Sequence, residues 1–198
     1  MAFLLTENLG QLPYEDTPLT GETRSAAQTL KRFGVKAGSR AFYLPRLIKP
    51  ASSSLTAMLW AISNRLPQVP APPNPGLTSF PPAEGDGPRG FLEAACYRMI
   101  AGRAVRLDIV DRIDEALNAA VRDKTPSEVT LNRLASLLGS NIETAIAVAG
   151  SLGWKRVPLN GDPQITTWQQ VKNRKRTRTK RTRRDSPFAG LAVLASSE

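Results

Sequence analysis

The chain has 198 residues, 41% of them apolar, one cysteine, no histidine and a formal charge of +10. Its apolar content is enough for a packed core in one or two small domains. Without histidine, and with Cys96 alone, zinc-finger spacing, histidine-dependent triads and the usual imidazole general base are excluded, and no metal or cofactor is expected.

In chain order, MAFLLTENLG lacks a basic leading region and its apolar run stops at Leu5, so neither a signal peptide nor an anchor is expected there. No run of eighteen apolar residues occurs anywhere, so no membrane partner is expected. Thr20 to Phe33 predicts a short amphipathic helix, with Ala26, Leu30 and Phe33 at helical spacing and Gly34 placed to end it. Ala41 to Leu44 is an apolar run too brief for a helix, a strand or an extended segment packed on one. Pro45 and Pro50 frame a connector that carries Arg46 and Lys49. Ala51 to Arg65 predicts a helix whose stripe of Leu55, Met58, Leu59, Ile62 and Leu66 faces a core. Trp60 lies off that stripe and is read as a packing anchor in preference to a base-stacking platform.

Composition changes abruptly from Pro67 to Gly90, which holds eight of the sixteen prolines and four glycines. Proline at that density holds an extended path that joins neither a helix nor a central strand, so the segment is expected to strap two packed halves together. The second half opens with FLEAACYRMIAG and RAVRLDIVDRIDEALNAA. Leu107, Val110, Ile113, Leu117 and Val121 mark one helical face, with Asp108, Asp111, Asp114 and Arg112 expected on the solvated side. The letters DEAL at Asp114 to Leu117 do not make an ATPase acidic box, which needs a preceding buried strand and a phosphate loop. Cys96 is expected to be a small buried residue. A lone cysteine forms no internal disulfide, which fits a reducing compartment such as the cytoplasm.

Thr125, Pro126, Ser127 and Glu128 spell a capping box before a helix carrying Leu131, Leu134, Leu137 and Leu138. Gly139 ends it, and Ser140 with Glu143 spells a second box opening Asn141 to Leu152, closed by Gly153. Two short helices at a Gly-Ser corner match a helix-turn-helix or an ordinary helical hairpin. Trp154 to Val157, the Asn160-Gly161 turn signal and Ile165 to Trp168 then suggest a hairpin wing. No Lys or Arg lies between Asn141 and Leu152, so that helix lacks the usual side chains for reading bases in a groove.

Lys172 to Arg184, KNRKRTRTKRTRR, has nine cationic residues among thirteen and no acidic one; without it the formal charge falls to +1. Lys172, Arg174, Lys175, Arg176, Arg178, Lys180, Arg181, Arg183 and Arg184 repel one another. With nothing apolar to bury, they should remain an extended, disordered arm until a polyanion neutralises them. RNA or single-stranded DNA is the expected polyanion, since guanidinium groups grip phosphate bidentately and stack on unpaired bases. Arg46, Lys49, Arg103 and Arg106 are candidates to extend that surface. After the arm, Ser186-Pro187 starts a last segment with Phe188, Leu191 and Leu194 on one side, expected to dock on the body or on a partner.

The string FGVKAGSRAFYLPRLIKPASSSLTAMLWAI, the proline strap, YRMIAGRAVRLDIVDRI, LASLLGSNIETAIAVAGSLGW and the closing SPFAGLAVL, in that order, resemble the C-terminal region of alphaproteobacterial superfamily-two helicases similar to the mitochondrial degradosome RNA helicase. The resemblance runs from about Phe3 to Leu194. It implies a mostly helical accessory region that packs against two RecA-like motor domains and helps hold a nucleic acid strand. Gly34, Gly38, Tyr43, Pro45, Lys49 and Pro50 fall within the resembling strings and look structural as much as functional. The family's phosphate loop needs Gly-Lys-Ser/Thr, and this chain has no Gly-Lys pair, so no ATP hydrolysis by the chain alone is expected. The expected origin is a separate reading frame of a split helicase gene or a segment of a longer protein.

The expected fold is mainly α. It comprises a helical module over 1–66, a linker over 67–90, a helix-turn-helix-like module with a candidate β-hairpin over 91–168, and an arm with its terminal segment over 169–198. The expected function is a non-catalytic, nucleic-acid-binding accessory part of a helicase. Its alternatives are a module that docks a motor or degradation partner and a winged-helix DNA regulator.

Overall fold

The computed structural model describes residues 2–14, 21–159 and 162–171. Lys172 to Arg184, the segment from Ser186 to Leu194 and the Asn160-Gly161 turn signal lie outside them. About half of the described residues are helical, in seven α-helices, and three small antiparallel sheets make the fold mixed α/β where the sequence predicted a mainly α chain.

The first half comprises α1 (Ala2–Glu7), β1 (Gln11–Pro13), α2 (Gly21–Lys31), β2 (Lys36–Ala37), β3 (Ala41–Tyr43) and α3 (Pro50–Ser63). The brief apolar run after Gly38 is the central strand of a sheet ordered β1-β3-β2, and Ala41, Phe42 and Tyr43 are all buried. Gly34, at φ +86°, turns the chain out of α2, a conformation that costs a glycine little. Phe33, predicted on the core face of that helix, lies beyond its end and is 66% exposed.

The strap is not bare linker. Ser79–Phe80 forms β4, an edge strand beside β6 (Arg103–Arg106), which pairs in turn with β5 (Tyr97–Ile100). An edge position suits a proline-flanked segment, because it needs ladder bonds on one side only. The stretch FLEAACYRMIAGRAVR, for which the sequence predicts no element, lies in α4 (Arg89–Ala94) and the β-hairpin that follows it. Its turn, Ala101-Gly102, has both φ values positive, +50° and +76°, as a two-residue hairpin turn matching strand twist requires.

Helices α5 (Leu107–Arg122), α6 (Ser127–Leu138) and α7 (Ile142–Ser151) follow, then the hairpin of β7 (Trp154–Leu159) and β8 (Asp162–Gln170). Ile113, Leu117, Leu134, Leu138, Val148 and both Trp154 and Trp168 close one core. The predicted stops hold: Gly139 at φ +58° and Gly153 at φ +86° end α6 and α7. The capping boxes do not form as spelled. Pro126 occupies the cap of α6 with no side-chain bond, while Asn141, not Ser140, caps α7 through Oδ1, which accepts from the Thr144 amide at 2.9 Å.

Packing runs across the strap. Ala57 and Ala61 of α3 share a core cluster with Phe91, Leu92 and Ala95, and the Trp60 ring lies so close over Gly90 that a Cβ there would overlap it. Trp60 is therefore a packing anchor, as predicted. The expected stripe of α3 is not the buried one: Leu55, Met58, Leu59 and Ile62 are 40–65% exposed. Small residues win that face because only they admit α4 at close range.

Candidate nucleic-acid interface

Asp111 and Asp114, expected on the solvated side of α5, are 4% and 3% exposed. The reason is that this face of α5 meets the β2–β3 loop of the first half. Asp111 accepts from the Ser39 amide (2.8 Å), Ser39 Oγ (3.1 Å) and Tyr43 Oη (2.6 Å), and pairs with Lys36 Nζ at 2.7 Å. Asp114 accepts from Arg40 Nε at 2.9 Å and Nη2 at 3.3 Å, and from Trp154 Nε1 at 2.9 Å. Arg40 Nη2 also donates to the Leu152 carbonyl at 2.6 Å. Gly38 faces Asp111 so closely that a Cβ at residue 38 would lie 2.5 Å from Oδ1.

This cluster ties the two halves together. Burial, then the bond to Asp111, pushes the Tyr43 hydroxyl far above its ordinary range, so it stays a donor.

Two of the four candidate body cations are held in the same way. Arg106 grips Asp108 bidentately at 2.6 and 3.0 Å and reaches the Leu77 carbonyl at 3.4 Å. The bond to Asp108 raises its pKa, against the opposing effect of burial. Arg103 donates to Ser79 Oγ at 3.3 and 3.0 Å, and Ser79 Oγ donates in turn to the Leu138 carbonyl at 2.7 Å. Both arginines thus pin the strap to β6. Arg46 and Lys49 differ: they are exposed, on either side of Leu47 and Ile48 in the 3₁₀ turn Pro45–Ile48 and its end, with no side-chain partner among the described residues.

The structure adds two cations that the sequence analysis did not single out. Lys155 and Arg156 on β7 are exposed and unpaired among the described residues. Trp154 pairs with Gln170, Lys155 with Gln169, and the Val171 amide donates to the Gly153 carbonyl at 2.7 Å. Lys172, the first cation of the arm, therefore follows directly from the root of the strand that carries Lys155. Adjacent Lys-Arg letters between two hydrophobic positions were the available signal. The nine arm cations lie outside the described residues.

A cavity of about 410 Å³ beneath α1 and α2 is lined by eleven residues, none of them charged. Among the described residues there is no group of three or more His, Cys, Asp or Glu placed to hold a metal, and no helix long and apolar enough to cross a membrane. Cys96 is buried between Gln11 and the Leu47 carbonyl, and burial above all pushes its thiol up to about 12. Among known protein families, curated proteins and solved structures, no match to this chain was found.

Proposed function

We propose that the chain is a nucleic-acid-binding accessory module, non-catalytic by itself, of the helicase type that its sequence resembles. One observation carries this reading: nine of the excess positive charges sit in thirteen consecutive residues, on a body whose formal charge is otherwise +1. The engagement of Asp108, Asp111 and Asp114 within the body supports it, since those carboxylates are already neutralised by Arg106, Lys36 and Arg40. Arg46, Lys49, Lys155 and Arg156, exposed and with no side-chain partner among the described residues, are body cations free to join the arm; Arg103 and Arg106 contribute less, being held by Ser79 and Asp108. Phosphate contacts of this kind position a strand without choosing its sequence. Filter binding of a single-stranded RNA to the full chain and to a chain lacking 172–184 tests the proposal. Loss of binding at low salt is expected; equal affinity refutes the arm's role. A nucleic-acid-stimulated ATPase in the purified chain would refute its non-catalytic character.

The order α5, α6, α7 and a β7–β8 hairpin supports a winged-helix-like reading of 107–170. Its α7 carries no cation, which favours a packing role over base readout. A second functional reading, a module that docks a motor or degradation partner, is favoured by the exposed apolar stripe of α3. Nuclease-treated pull-downs with wild type and Ile62→Asp distinguish the two: a partner that survives nuclease and is lost with Ile62→Asp supports docking.

A further inference from the structure

The apolar cavity under α1 and α2 is a feature that the proposed function leaves unused. Leu5, Leu9, Leu30, Phe33, Leu44 and Leu47 line it, with no charged side chain on any wall. Phe33 stands at its rim, 66% exposed. A groove of about 410 Å³ with such walls suits two or three apolar side chains and excludes the cationic arm.

The chain itself contains a segment of that chemistry. Ser186 to Leu194, SPFAGLAVL, has no charged residue and places Phe188, Leu191 and Leu194 three apart. The position from which it departs also favours the match. Val171 bonds to Gly153, whose neighbour Leu152 receives Arg40 Nη2, so the chain leaves the body near Arg40. Arg40 precedes β3 and Leu44, a wall of the groove, follows it. Exit and groove thus lie at opposite ends of one short strand, about 13 Å apart over the four residue steps from Arg40 to Leu44. Sixteen residues separate Val171 from Phe188. A tether of that length reaches about 55 Å at full extension, and charged tethers self-repel and extend, so it spans the gap.

We propose that this groove is the docking site of the chain's own Phe188 to Leu194 segment. Docking anchors the basic arm at both ends, at Gly153 and beside Leu47, and so brings its far end to the turn that carries Arg46 and Lys49. The test uses the full-length chain without nucleic acid, so its outcome is independent of the nucleic-acid reading. Hydrogen exchange of wild type is compared with Phe188→Asp/Leu191→Asp. Amides of residues 5–10 and 30–35 are expected to exchange about ten-fold faster in the variant, with α5 to α7 unchanged. Equal exchange overturns the proposal. In a second variant, Phe33→Cys/Leu191→Cys, mild oxidation at low micromolar concentration is expected to give an intramolecular disulfide; buried Cys96 is a poor competitor for it. Exclusively intermolecular cross-links overturn the proposal by showing that a second copy supplies the segment.

Discussion

Helices α3 and α5 reverse each other's expected faces. The leucine, methionine and isoleucine stripe of α3 is exposed while Ala57 and Ala61 are fully buried. On α5 the aliphatic face is buried as predicted, but so are Asp111 and Asp114 from the face assigned to water. Both reversals occur where the two halves of the chain meet. A helical period identifies two faces; whether both are covered depends on a partner element far away in sequence. At α3 the partner α4 comes so close that only small side chains fit, and at α5 the partner loop brings Lys36, Ser39, Arg40 and Tyr43 as ready-made donors.

The largest expected effect breaks the α5 side of this comparison. Asp111→Ala leaves Tyr43 Oη, the Ser39 amide and Lys36 without their acceptor, and should lower unfolding free energy by about 3 kcal/mol in urea titration. An effect of a few tenths would mean that water replaces the carboxylate there. On α3, Ala57→Leu should cost about 2 kcal/mol by overpacking the helix against α4, measured the same way.

Alkaline titration adds a smaller effect at the same seam. Burial raises the folded-state pKa of Cys96 to about 12, from the ordinary thiol value of 9.0 that the unfolded chain retains. The unfolded state therefore releases its proton first, and the stability linked to this group, fully present below pH 9, is lost as pH rises from 9 toward 12. Tyr14, Tyr43 and Tyr97, raised mainly by burial, add losses of the same sign above pH 10. At pH 10 the Cys96 contribution should be about 1 kcal/mol and should vanish from the pH profile of Cys96→Ala. The smallest effect is expected on the exposed stripe: Leu59→Ser should change stability by less than about 0.5 kcal/mol, and a loss of 2 kcal/mol would place that stripe in a core.

How much of this was legible from sequence varied with the range of the signal. The ends of α6 and α7 follow from Gly139 and Gly153, which act within one turn, and the β7–β8 hairpin was visible in alternation around a turn signal. Ser79–Phe80 joining β6 was not, because strand pairing at an edge depends on residues more than twenty positions away. The β5–β6 hairpin was missed for a local reason: YRMIAGRAVR also carries apolar residues at helical spacing, and the Ala-Gly turn was the discriminating feature. At the candidate interface, the arm was proposed from charge density, and its nine cations lie outside the described residues. Composition alone could not separate Arg103 and Arg106, which hold the strap, from Arg46 and Lys49, which are exposed; that distinction lies in whether Ser79 and Asp108 are within reach.

The central claim is that a concentrated arm, not the body, binds a polyanion. Its most direct test is the salt dependence of affinity for a labelled single-stranded RNA, measured for wild type and for a chain with all nine arm cations replaced by Gln. The nine arm cations should contribute a slope of log affinity against log salt as steep as about −6, and the replaced chain should keep no more than the slope of about −3 that Arg46, Lys49, Lys155 and Arg156 can supply. An unchanged slope in the replaced chain would contradict the account and place the binding surface on the folded body.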